Sequence, residues 1–136
     1  MTAHILALEK DLFFSVKMRD TLHHYDMEVK TVRNLPAFEE SLKDTSSSTF
    51  ALAIVNTATN SVDWESAIRK ARAAGLKVLA FGSHMDLEAR SKALDAGAQR
   101  VVANSKFTSD MPGLVQRMLE EPGASYLNES EPESAI

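Results

Sequence analysis

Four short apolar runs in this chain of 136 residues each stop on polar residues that could do chemistry. Glu9-Lys10-Asp11 follows the run at 5–8, Asn56 follows 50–55, Gly82-Ser83 follows 77–81, and Asn104-Ser105-Lys106 follows 100–103. If the runs are strands of one parallel sheet, these residues gather at its carboxyl ends, where ligands collect in such folds. The central member is Asn56. It is an amide where a carboxylate could act as nucleophile, so one kind of chemistry is missing. Ser83 stands three residues before Asp86, the spacing of a capping box, and a helix start explains it better than catalysis.

The elements that must position these residues follow from periodicity. Phe50-Ala51-Leu52-Ala53-Ile54-Val55 is too short for a buried helix and apolar on both faces, which places it in the middle of a parallel sheet. The first strand, at 5–8, leads to Asp11, which caps a helix over 12–26 whose core face is Phe14, Met18, Leu22 and Tyr25. Leu12, Phe13 and Val16 make a second apolar patch on that helix, a candidate interface. Residues 28–32 alternate as an edge strand. Helices follow around Leu35, Phe38 and Leu42, from about Asp63 to Gly75, from Ser83 to about Ala96, and from about Asp110 to Glu120. Strand and helix alternate five times, which implies a three-layer α/β sandwich with right-handed crossovers.

Composition excludes several functions. There is no cysteine, so disulfides, thiolate catalysis and cysteine-based zinc sites are out. His23 and His24 point about 100° apart on a helix, and His4 and His84 are isolated, so no histidine metal site is expected. The Gly-x-Gly-x-x-Gly dinucleotide fingerprint is absent after the first strand. The net charge of −4 comes from the tail: without the five glutamates of 120–136, 15 basic residues face 14 acidic ones. No basic nucleic-acid footprint is present, and the run Arg69, Lys70 and Arg72 reads as a solvated face. No signal-peptide start or membrane-span composition is seen, so a cytoplasmic location is expected. Residues 1–120 form one domain, and the acidic 121–136 is expected to be a disordered tail.

Lys92-Ala93-Leu94-Asp95-Ala96-Gly97-Ala98, then a strand and Lys106-Phe107, resembles the corresponding segment of response-regulator receiver domains. The likeness covers roughly residues 3–119. It implies a doubly wound, flavodoxin-like sheet of order 2-1-3-4-5. It also implies phosphoryl transfer from a histidine kinase to an aspartate ending the third strand. Carried onto this chain, that position falls on Asn56, and the Mg²⁺-binding acidic pair falls on Glu9 and Lys10, with Asp11 beside them. An ammonium there repels the hard cation. The phosphoryl-contacting Thr or Ser falls on Gly82, with Ser83 one residue late. The lysine falls on Asn104, with Lys106 two residues late. Deamidation of Asn56 would restore an aspartate but leave Lys10 in the metal site.

The combined departures imply a pseudo-receiver, stand-alone and not an enzyme, with no cofactor or metal. It is expected to act through a protein partner, a kinase or regulator, or as a homodimer. The face of the fourth helix, fifth strand and last helix would serve, with Lys92, Arg100, Lys106 and Arg117 as polar contacts and Phe13 on the separate patch. Two alternatives stand beside this reading: a phosphorelay response regulator modified at a non-standard residue, and a small-ligand-binding flavodoxin-like module. No nucleic-acid or membrane partner is expected.

Overall fold

The computed structural model describes residues 2–43, 50–59, 61–83 and 86–121. Five strands, β1 (Ala3–Leu8), β2 (Met27–Val32), β3 (Leu52–Asn56), β4 (Lys77–Gly82) and β5 (Arg100–Ala103), form one parallel sheet of order β2-β1-β3-β4-β5. The expected order is therefore the observed one. Side chains alternate across the pleat. Leu6, Leu8, Ala53, Val55, Val78 and Ala80 face α2 (Leu35–Lys43), α3 (Trp64–Ala73) and α4 (Leu87–Ala96), where Phe38, Ile68 and Ala93 complete the layer. Ile5, Ala7, Leu52, Ile54, Leu79 and Phe81 face α1 (Leu12–His23), α5 (Asn104–Ser109) and α6 (Met111–Glu120), whose Met18, Leu22, Phe107 and Leu114 fill the other side. The central strands are buried on both faces, which is why their sequences are apolar without alternation.

Several local expectations need correction. The first helix ends at His23, and Tyr25 is half exposed and leaves the core face to Met27. Asp26 adopts φ 63, a left-handed turn tolerated by aspartate, and this reverses the chain into β2 before another helical turn can form. Its carboxylate also accepts the Thr2 hydroxyl at 3.1 Å. The fourth helix does not start at Ser83. α4 starts at Leu87, and Asp86 caps it by accepting from the Ala89 N–H at 2.9 Å. His84 and Met85 lie outside the described residues, as do the serine-rich 44–49 and the tail 122–136.

The short helix α5 was not expected. It begins on the residue after β5, and the last helix of the sequence reading is therefore α6. Phe107 explains it: buried, it stacks on Phe81 at 4.2 Å with 11° between the rings, and Phe14 closes the cluster at 5.7 and 6.0 Å. Such contacts add about 0.5–1.5 kcal/mol per pair beyond burial. At the opposite pole, the Lys77 ammonium donates to the carbonyls of Met118 and Glu121 at the end of α6, and Arg100 pairs with the Glu121 carboxylate. Both cations stand on the first residues of their strands and complement the negative end of the helix.

Candidate functional site

Beyond the carboxyl ends of β1, β2 and β3 lies an open cavity of about 520 Å³, lined by Glu9, Lys10, Asp11, Arg33, Asn56, Ala58 and Thr59. Its floor is a fixed pair. Glu9 directly follows β1 and is buried, at 2 % exposure. Its Oε1 accepts from the Asn56 Nδ2 at 2.8 Å, and its Oε2 accepts from the Asp11 N–H at 3.0 Å. The Asn56 Oδ1 accepts from the Ala58 N–H at 2.8 Å. With a carboxylate on one side and an N–H on the other, only one orientation of the Asn56 amide satisfies both neighbours.

Burial pushes the Glu9 carboxyl above its ordinary value. The hydrogen bonds from Asp11 and Asn56 oppose that rise, and the nearby Asp11 charge reinforces it. Asp11 caps α1 as expected, its Oδ1 accepting from the N–H groups of Phe13 at 2.9 Å and Phe14 at 3.2 Å. Lys10 is exposed at the rim. The Asn56 oxygen is already engaged by Ala58, and the amide that meets Glu9 belongs to Asn56.

The end of β4 is closed by a residue that sequence reasoning passed over. A Cβ placed on Gly82 would lie 2.1 Å from the Thr57 Oγ1. That hydroxyl donates to the Phe81 carbonyl at 3.3 Å, and the Thr57 N–H donates to the same oxygen at 2.9 Å. A side chain at position 82 and Thr57 in this rotamer exclude each other. The register Asn56↔Phe81 brings the two together.

The structure thus gathers Glu9, Lys10, Asp11 and Asn56 around one cavity, and Ser83, Asn104 and Lys106 are not among its lining residues. Asn104 opens α5 with its carbonyl accepting from the Thr108 hydroxyl, and Lys106 lies within the same helix. Arg33, Ala58 and Thr59 were missed. Arg33 immediately follows β2, so the strand-end rule that singled out the other residues points to it equally. Of the proposed contact residues, Lys92 pairs with Glu88 at 3.3 Å and Arg117 with Asp110 at 2.9 Å, both near the surface. Arg100 is turned inward, its side chain 11 % exposed against Glu121, and offers little to a partner. Phe13 is 89 % exposed.

No family model matches the chain, and no curated protein matches it. Solved structures do. The chain is similar to a CheY-like response regulator receiver domain protein from Methanospirillum hungatei JF-1, at 19% identity and a TM-score of 0.73 over 88% of this chain and 95% of that one. It is similar to a response regulator from Thermotoga maritima at 14% identity and 0.73, over 89% of this chain and all of the other. A beryllofluoride-activated DrrB receiver domain matches at 20% identity and 0.72, over 89% and 100%. The fold is that of response-regulator receiver domains.

Proposed function

We propose that this chain is a signalling protein of receiver fold that takes no phosphoryl group at the end of β3. It works as a pseudo-receiver through contacts with a protein partner, a kinase or another regulator. The observation that carries this reading is the Asn56–Glu9 hydrogen bond. The residue at the end of the central strand is an amide, without the carboxylate nucleophile that an acyl phosphate requires. Its nitrogen donates to the acidic side chain that would otherwise face a cation. A divalent ion would have to displace that donor and approach Lys10, and hard cations bind through several oxygens. Gly82 supports the same reading, because the last residue of β4 carries no hydroxyl and the Thr57 side chain fills the space where its Cβ would stand.

The test is treatment of the full chain with acetyl phosphate and, separately, with beryllofluoride in the presence of Mg²⁺. The expected outcome is an unchanged intact mass with acetyl phosphate and, with beryllofluoride, no change in the amide spectrum that depends on Mg²⁺. A stoichiometric, hydroxylamine-labile phosphoryl adduct would overturn the proposal, whichever residue carried it. Among the described residues no helix is long and apolar enough to cross a membrane, and no cluster of His, Asp and Glu is arranged to hold a metal ion.

A further inference from the structure

The cavity beyond β1, β2 and β3 is lined by two carboxylates, Glu9 and Asp11, and two cations, Lys10 and Arg33. The formal charges balance, but the two signs are not equally available to a ligand. Both oxygens of Glu9 already accept hydrogen bonds, from Asn56 and from the Asp11 N–H, and the side chain is buried. Burial also favours the neutral form of that carboxyl. Asp11 spends its charge on the first turn of α1, where two N–H groups converge on Oδ1 at the positive end of the helix dipole.

The guanidinium is placed differently. Arg33 follows β2 directly and is exposed, and among the described residues its guanidinium has no hydrogen-bond or ion-pair partner. Lys10 stands on the same cavity wall. The Asn56 nitrogen carries two hydrogens, of which Glu9 takes one, so one donor remains. A guanidinium fork, an ammonium and an amide donor match the planar oxygens of a carboxylate or the oxygens of a phosphate. The volume of about 520 Å³ falls within the range of small-molecule sites.

We propose that this cavity is a metal-free anion site, holding a small phosphorylated or carboxylated metabolite non-covalently through Arg33 and Lys10. This deepens the reading given above and rests on it in one respect: the site must hold neither a divalent cation nor an acyl phosphate. The anion sits where the charge of a bound cation would otherwise lie, so the pocket keeps its place in the fold and changes the sign of what it accepts.

The experiment is an amide-correlation NMR titration of the full chain with three separate probes: inorganic phosphate, succinate and MgCl₂, each against NaCl of equal ionic strength. Saturable shifts are expected with phosphate or succinate at residues 9–11, 33 and 56–59, and the better probe identifies the chemical class. Arg33→Gln is expected to weaken that binding by about tenfold or more, and Lys10→Gln to weaken it to a smaller degree. Because both side chains are exposed, the variants should keep the wild-type spectrum elsewhere. Linear shifts scattered over the surface, or saturation unaffected by Arg33→Gln, would overturn the anion site. Saturable Mg²⁺ shifts at Glu9 and Asn56 would instead overturn the pseudo-receiver reading. Silence with all three probes rejects the anion site alone.

Discussion

Glu9 and Thr57 are the two residues whose environments make the sharpest demands. A carboxyl held above its ordinary 4.5 by burial is protonated more readily in the native state than in the unfolded one. Between the unfolded and folded values the native state therefore binds more protons, and stability falls as pH rises through that window. Glu9→Gln removes this dependence while sacrificing one of two accepted hydrogen bonds. Its destabilisation, read from urea melts, should be largest below 4.5 and shrink as pH climbs above it. A cost that stays flat or grows with pH would contradict the burial argument. Thr57 makes a steric demand. Gly82→Thr drives a new Cβ to within 2.1 Å of the Thr57 hydroxyl oxygen, and overpacking of this kind typically costs about 1–3 kcal/mol. Thr57→Ala alone should cost less, and the double variant should recover most of the loss. The coupling energy of that cycle is the measurement, and additive effects would refute the exclusion. The same Thr57 N–H is tied to Phe81, so the nitrogen that would have to attack the Asn56 side chain in deamidation is held in the sheet.

At the scale of elements, the strands were legible and the helix ends were not. Residues 52–55 and 78–81 are apolar on both faces, and only a doubly covered parallel sheet accommodates that pattern. The start of α4 was misjudged because Ser83 and Asp86 both suit a cap, and local spacing cannot choose between them. The helix α5 was illegible for a different reason: six residues make a poor helix on their own. It exists because Phe107 docks on Phe81, a partner 26 positions away in the chain. Four of the seven lining residues were readable from strand ends, namely Glu9, Lys10, Asp11 and Asn56. Arg33 obeyed the same rule unnoticed, and Thr57 needed the register between β3 and β4 before its hydroxyl could be set against Gly82. α6 yields a prediction of its own. The Lys77 ammonium satisfies carbonyls that the helix leaves unpaired, so Lys77→Met should cost about 1–3 kcal/mol, as for hydrogen bonds to a charged group. Amide exchange should accelerate first in residues 115–121. Unchanged exchange there would show that the core stripe of Leu114, Val115 and Met118 holds the helix unaided.

Over the whole molecule, the parallel sheet sorts functions between its two ends. The cavity and its charged rim occupy the carboxyl ends of the strands, whereas Lys77, Arg100 and Glu121 occupy the amino ends. β3 alone separates the two by roughly 16 Å. Glu121, the last of the described residues, is clasped at the end of the sheet opposite the cavity. A linker, dye or solid support joined directly after Glu121, in place of 122–136, would therefore hold the protein by its base and present the mouth of the cavity to solution. The molecule is in that sense already oriented for a sensor surface.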